Sequence, residues 1–317
     1  MGKSTKGFAM TKWFKKLVLT CALIPLGQCT LLHFGSQIAH AAEAAATVDA
    51  DPALWVVRDE DTTIYLFGTV HVLKPGFSWF DEAVKEAFDK SDTLMLEMVL
   101  PEDQTAIQQT MIPLAVDQSG TALSSRLDNE QRAAYHAAMD KVGLPVAQFD
   151  IFEPWFAAVT LSVAPLAKLG YDPEQGAEKQ LTRFAKSAGK PIAGFEDLKE
   201  QLGFLDALPA DAQLSYLNSV VRDIDKMGSM LDALVVEWAA GKPEALAELM
   251  NESLAETPEV ADALLYARNA RWADRIKARM DEPGTVFVAV GAGHLAGDRS
   301  VQKKLADRGL VAERVDY

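Results

Sequence analysis

Thr285-Val286-Phe287-Val288-Ala289-Val290, followed at once by Gly291-Ala292-Gly293-His294, is the stretch on which the fold turns. Pro283-Gly284 bounds the apolar run on one side and a glycine-rich turn on the other, so it reads as a strand buried on both faces. The same arrangement occurs near the other end of the chain. There Thr62-Thr63-Ile64-Tyr65-Leu66-Phe67 runs into Gly68-Thr69-Val70-His71. In an open α/β sheet, a residue just past a strand's carboxyl end projects into the crevice where such folds bind ligands. A glycine there lets the backbone turn sharply and brings the imidazole back over the sheet edge.

Working outward, Leu54–Arg58 is a second strand, joined to Thr62–Phe67 by the polar turn Asp59-Glu60-Asp61, and the pair reads as a hairpin. Ser78–Lys90 has the pattern of a helix with Ser78 as N-cap, and Thr93–Met98 that of a buried strand. Helical segments follow at Asn129–Val142, Trp155–Leu169 and Glu174–Ala188, closed by Gly143, Gly170 and Gly189. Lys190–Phe195 is a short strand ending at Glu196. Helical stretches then run from Asp197 to Leu208, Ala210 to Ala240 with a break near Gly228, Pro243 to Leu254 and Pro258 to Met280. A short helix over Asp298–Asp307 and a terminal strand over Val311–Val315 complete the chain. The expected fold is α/β, its central mixed sheet built from the N- and C-terminal thirds, with a large helical insertion over about residues 101–282.

Residues 1–41 have a different character. Five lysines and no acid precede the apolar stretch Leu17–Leu32, and Ala39-His40-Ala41 supplies a small-x-small pattern. That order predicts a secretory signal with cleavage after Ala41, hence a periplasmic or secreted protein, an Ala-rich linker over 42–50 and a single domain over 51–317. A membrane contact is expected only through an uncleaved signal segment. Cys21 and Cys29 leave with it, so the mature chain has no thiol, and any metal must be held by His, Asp, Glu, Asn or water.

The whole chain has 317 residues, 49% of them hydrophobic and 24% charged, the balance of a soluble globular protein. Its 31 basic and 45 acidic side chains give a net charge of −14. Loss of the signal's five lysines makes it more acidic still, which excludes nucleic acid as an expected partner.

His71 and His294 therefore stand out as candidate ligands, whereas His136, the third histidine of the mature chain, lies among alanines on a helix and reads as structural or solvent-facing. Glu97 interrupts a buried strand, where an unpaired carboxylate would be costly, so a cation should meet it. Glu196 ends the Ile192–Phe195 run, and it reads equally as part of the next helix's N-terminus. Arg268 and Asn269, just before the last long strand, could neutralise Glu97 or orient a substrate. Two imidazoles and one or two carboxylates at one sheet edge suit a divalent ion such as Mn, Co or Zn, which would polarise a carbonyl and activate water. The serine-elbow, zincin and thiol signatures are absent, and Gly291-Ala292-Gly293 lacks what a phosphate loop needs.

On these residues the chain resembles the TraB/GumN family, which includes the TIKI metalloproteases. The likeness rests on Leu66–His71, the strand carrying Glu97, Gly194-Phe195-Glu196 with Glu200-Gln201-Leu202 and Leu205–Pro209, Arg268-Asn269, and Phe287–Leu295. The resemblance implies a fold of the erythromycin-esterase and haem-binding ChaN-like kind, and a metal-dependent peptidase using His71, His294 and Glu97, with Glu196, Arg268 and Asn269 in support. Its substrate would be a peptide or protein. Two other readings stay open: a non-catalytic protein that binds haem or a small ligand, and an esterase-like enzyme with His71 as a metal-free general base.

Overall fold

The computed structural model describes residues 47–317, apart from the side chains of 251–254. The expected signal over residues 1–41 and the first part of the expected linker lie outside the described residues. The linker's end is structured: β1 (Val48–Asp49) pairs in parallel with β4 (Phe77–Ser78). This explains why Ser78 does not cap the helix that follows. Its backbone carbonyl accepts from Ala50 N at 2.8 Å, its hydroxyl donates to the Asp81 carboxylate at 2.5 Å, and the helix spans Glu82–Lys90.

The architecture is the expected α/β, with a six-stranded mixed sheet in the order β6-β5-β7-β3-β2-β8. The strands are β2 (Leu54–Arg58), β3 (Thr62–Thr69), β5 (Thr93–Met98), β6 (Ile192–Glu196), β7 (Gly284–Gly291) and β8 (Glu313–Arg314). The β2–β3 hairpin is antiparallel, and β3, β7, β5 and β6 run parallel. The first and last thirds supply most of the sheet, but β6 comes from the middle of the chain. It adds to the edge at β5.

β7 is buried continuously from Val286 to Val290, as a central strand covered on both sides must be, and its side chains alternate between two cores. Val286, Val288 and Val290 pack with Ile64, Leu66, Trp272 and Ile276 on one face. Phe287 and Ala289 pack with Phe67, Trp79, Phe88 and Leu94 on the other. A third core lies within the helical insertion, around Tyr135, Phe149, Trp155 and Phe156.

The helical segments differ from expectation at their boundaries. The helix begun at Pro154 ends at Val163, because Pro165 lacks the N–H that would bond Leu161, and the chain turns before Gly170. The long stretch expected over 210–240 breaks between Asp223 and Met227, just ahead of Gly228. An additional helix, Gln104–Ala115, carries Pro113 inside it and is capped by Asp103. The stretch from Pro258 contains a π turn over Asp262–Tyr266 before Ala267–Arg279 continues. π turns of this kind recur at functional sites, and this one immediately precedes Arg268. Among the described residues, no helix is long and apolar enough to cross a membrane.

Candidate functional site

Parallel register brings the two glycine-histidine motifs to one edge. Gly68 lies opposite Val290 and Thr69 opposite Gly291, so β3 and β7 end at the same level. Leu96 of β5 faces Ala289 of β7, and Met98 faces Glu196 of β6. Four neighbouring parallel strands therefore present His71, His294, Glu97 and Glu196 at their carboxyl ends. β7 sits between β3 and β5, strands that precede it in sequence, which makes this edge a topological switch point.

The three residues first in line meet around Gly291. A Cβ built there would lie 3.0 Å from Glu97 Oε1, 3.7 Å from His71 Nε2 and 3.7 Å from His294 Cδ2. The Gly291 N–H donates to Glu97 Oε1 at 2.7 Å.

Each imidazole is held from behind. Asn269 Nδ2 donates to the Arg299 carbonyl at 2.8 Å, which leaves Oδ1, 2.5 Å from His294 Nδ1, as the acceptor. His294 is thereby the tautomer with its lone pair on Nε2. Its burial against Trp272, ring centroids 4.3 Å apart, pushes its pKa down to about 3 and keeps it neutral. His71 Nδ1 lies 2.7 Å from Glu178 Oε1, which also accepts from the Thr69 hydroxyl. The Glu178 charge raises the His71 pKa to about 9, a pull tempered by solvent because the His71 side chain keeps 42% of its surface open.

Arg268 is the cation that Glu97 demands. Its Nη2 donates to Glu97 Oε2 at 2.6 Å and to Glu196 Oε2 at 2.7 Å. Nε donates to both Glu196 oxygens at 3.1 and 3.0 Å, and Nη1 to the Leu264 carbonyl at 2.8 Å and to His294 Nε2 at 3.3 Å. All five guanidinium N–H groups thus have acceptors. Burial opposes ionisation of Glu97, but the Arg268 guanidinium, the His71 imidazolium and the Gly291 N–H outweigh it and hold the carboxyl below its usual range. Glu196, also bonded by Trp272 Nε1 at 3.0 Å, stands behind Arg268 and away from the cavity.

A divalent ion does not fit this arrangement as it stands. His294 Nε2, the nitrogen that would bind it, accepts from Arg268, and the same guanidinium already neutralises Glu97. Among the described residues, no group of three or more His, Cys, Asp or Glu side chains is spaced to hold a metal.

The likeness read from the motifs is carried by the whole domain: the model of the TraB/PrgY/gumN family matches residues 53–314. The chain belongs to this family. YbaP of Escherichia coli strain K12, an uncharacterized protein, is 25% identical over 258 residues, covering 80% of this chain and 92% of its own length. An uncharacterized protein of Treponema pallidum strain Nichols is 22% identical over 309 residues, 92% of each chain.

In this TraB/PrgY/gumN protein, two side chains join the site that received no role in the sequence reading. Glu178 approaches because Gly176 lets its helix close on the turn after β3: a Cβ at Gly176 would meet the His71 carbonyl at 2.1 Å, and Ala177 N donates to the Val70 carbonyl. Gln201 bridges Glu97 and Glu196 at 3.3 and 3.2 Å. A glycine just ahead of an acidic helix start was the only signal for the first. His136 lies exposed on its helix, remote from these residues.

Proposed function

We propose that the chain is an exported hydrolase that adds water across an amide bond, with His71 and Glu178 as its acid–base pair. One observation carries the reading: His71 is anchored at Nδ1 by Glu178 and presents Nε2 to a cavity whose floor is shared with Glu97 and His294. In its neutral form, which is the minor one below about pH 9 so that turnover should rise toward that pH, Nε2 takes a proton from water as the water oxygen bonds to the carbonyl carbon. The imidazolium then passes that proton to the leaving nitrogen as the C–N bond breaks, releasing a carboxylic acid and an amine. Glu178 holds the ring orientation and stabilises the imidazolium, as a triad carboxylate does. Arg268, its donors all engaged, is a positioning residue that fixes Glu97, Glu196 and His294. Asn269 acts on the site through His294. Export rests on the basic, apolar and small-residue order of residues 1–41, and an amide bond as the one cleaved on the family resemblance to peptidases.

A second reading has a specific observation in its favour. Anchoring of both imidazoles at Nδ1, with each Nε2 turned inward beside Glu97, is how metal-binding histidines are commonly oriented. A divalent Mn, Co or Zn ion held by His71, His294 and Glu97 would act as a Lewis acid, and it requires Arg268 to release His294. The proposal is tested with a panel of blocked peptides and chromogenic amides and esters. We expect turnover that falls by about a hundredfold or more in His71→Ala, with the fold intact by circular dichroism. Equal turnover in both proteins would overturn it.

A further inference from the structure

Resting on that reading of the site, we infer that the acyl side of the scissile bond is a long aliphatic chain, so that the substrates are N-acyl amines or N-acyl peptides in place of ordinary peptides. The cavity above the site carries this inference. It encloses about 480 Å³, within the range of roughly 300–1,000 Å³ typical of small-ligand sites. His71, Glu97, Gly291 and His294 form one end. Most of the rest is hydrocarbon from several helices, among it Val159 and Val163, Leu231 and Leu234, Met250 and Leu265.

Apart from the Trp155 indole N–H, which is buried without an acceptor, the few polar side chains along this lining have partners, Arg268 among them. The Ser162 hydroxyl donates to the Ala158 carbonyl at 2.9 Å, Gln201 donates to the two glutamates, and Thr69 donates to Glu178. A peptide threaded between these walls would bring backbone amides out of water into a space that returns few hydrogen bonds, a single free indole N–H against a donor and an acceptor for each residue. A polymethylene chain has no such groups, and every methylene buried adds to binding. Met250, unbranched and adaptable, suits a wall that must fit a flexible chain. The chain's one polar end, its carbonyl, then falls at the floor, where His71 Nε2 faces it.

The test is calorimetric titration of the full chain with octanoate, dodecanoate and hexadecanoate, and with a blocked leucyl-valyl-phenylalanyl tripeptide. Affinity should climb roughly fourfold for each added methylene until the cavity is full, with the tripeptide weakest. Val163→Trp and Leu231→Trp, which fill the cavity from two helices, should each weaken hexadecanoate at least tenfold. Failure of hexadecanoate to bind, affinity independent of chain length, unchanged binding in folded filled variants, or tighter binding of the tripeptide would each overturn the inference. If a filled variant does not fold, the chain-length series on the unaltered protein decides. Binding is read without turnover, so the two readings fail separately. Chain-length-dependent binding by a protein that hydrolyses nothing would remove the hydrolase alone, and hydrolysis of plain peptides without hexadecanoate binding would remove the acyl chain alone.

Discussion

Glu178 Oε1 lies 2.7 Å from Nδ1 of His71, although the two residues come from different elements, the turn after β3 and the first turn of the helix Ala177–Ala188. The carboxylate sets both the tautomer and the basicity of the ring. Replacing it by Glu178→Gln should bring the His71 pKa from about 9 toward its ordinary 6.5. A nuclear magnetic resonance titration of the imidazole reads this directly. A pKa that stays near 9 in the variant would show that Glu178 is not the cause.

The two site histidines should bend the stability curve in opposite directions. His71 has a raised folded-state pKa, so its contribution is complete below 6.5 and is lost as the pH climbs through about 9. His294 has a depressed one. The unfolded chain takes up its proton below 6.5 while the folded chain resists to about 3, so stability falls as the pH drops through that interval. Melting temperature against pH should therefore peak near 6.5. His71→Ala should flatten the alkaline limb and His294→Gln the acid limb, and unchanged limbs in these variants would refute the assignment.

Arg268 binds two carboxylates whose side chains are only 13% and 5% exposed. Arg268→Met leaves Glu97 without its guanidinium and Glu196 with only the half-exposed Arg271 at 3.6 Å, a loss on the order of 3–5 kcal/mol in urea unfolding. Arg268→Lys restores charge but not the forked geometry, and should recover only part. A loss below 1 kcal/mol for Arg268→Met would mean that the cluster is not held by this residue.

Much of this site is legible in the sequence for identifiable reasons. The apolar, β-branched and aromatic runs ending in glycine mark β3 and β7, so His71 and His294 can be placed at strand ends. Glu97 is conspicuous because a carboxylate in a buried strand needs a cation, and Arg268 is that cation. What the sequence does not display is tertiary. Insertion of β7 between β3 and β5, the edge position of β6, and the approach of Glu178 past Gly176 depend on how distant segments dock. The engagement of Arg268 with His294 is equally invisible, and it weighs against the simplest metal site. The apolar cavity needs the helical insertion in place, since Leu231 and Val163 read as ordinary core residues in isolation.

Gly291 faces the centre of the site and has a φ of −49°, which a residue with a side chain adopts without strain. Gly291→Ala would put a methyl group 3.0 Å from Glu97 Oε1 and 3.7 Å from His71 Nε2. The fold should survive and hydrolysis fall by roughly tenfold or more, by displacement of the reacting atoms. Undiminished turnover in a folded variant would place the reaction elsewhere.

The most direct test of the account is amide hydrolysis by protein stripped with a chelator, its metal content measured by mass spectrometry, with His71→Ala beside it. The arrangement of Arg268 against Glu97 and His294 predicts that the stripped protein keeps its turnover and that His71→Ala loses it. Turnover abolished by the chelator and restored by Mn, Co or Zn at one ion per chain would contradict it and give the site to a metal.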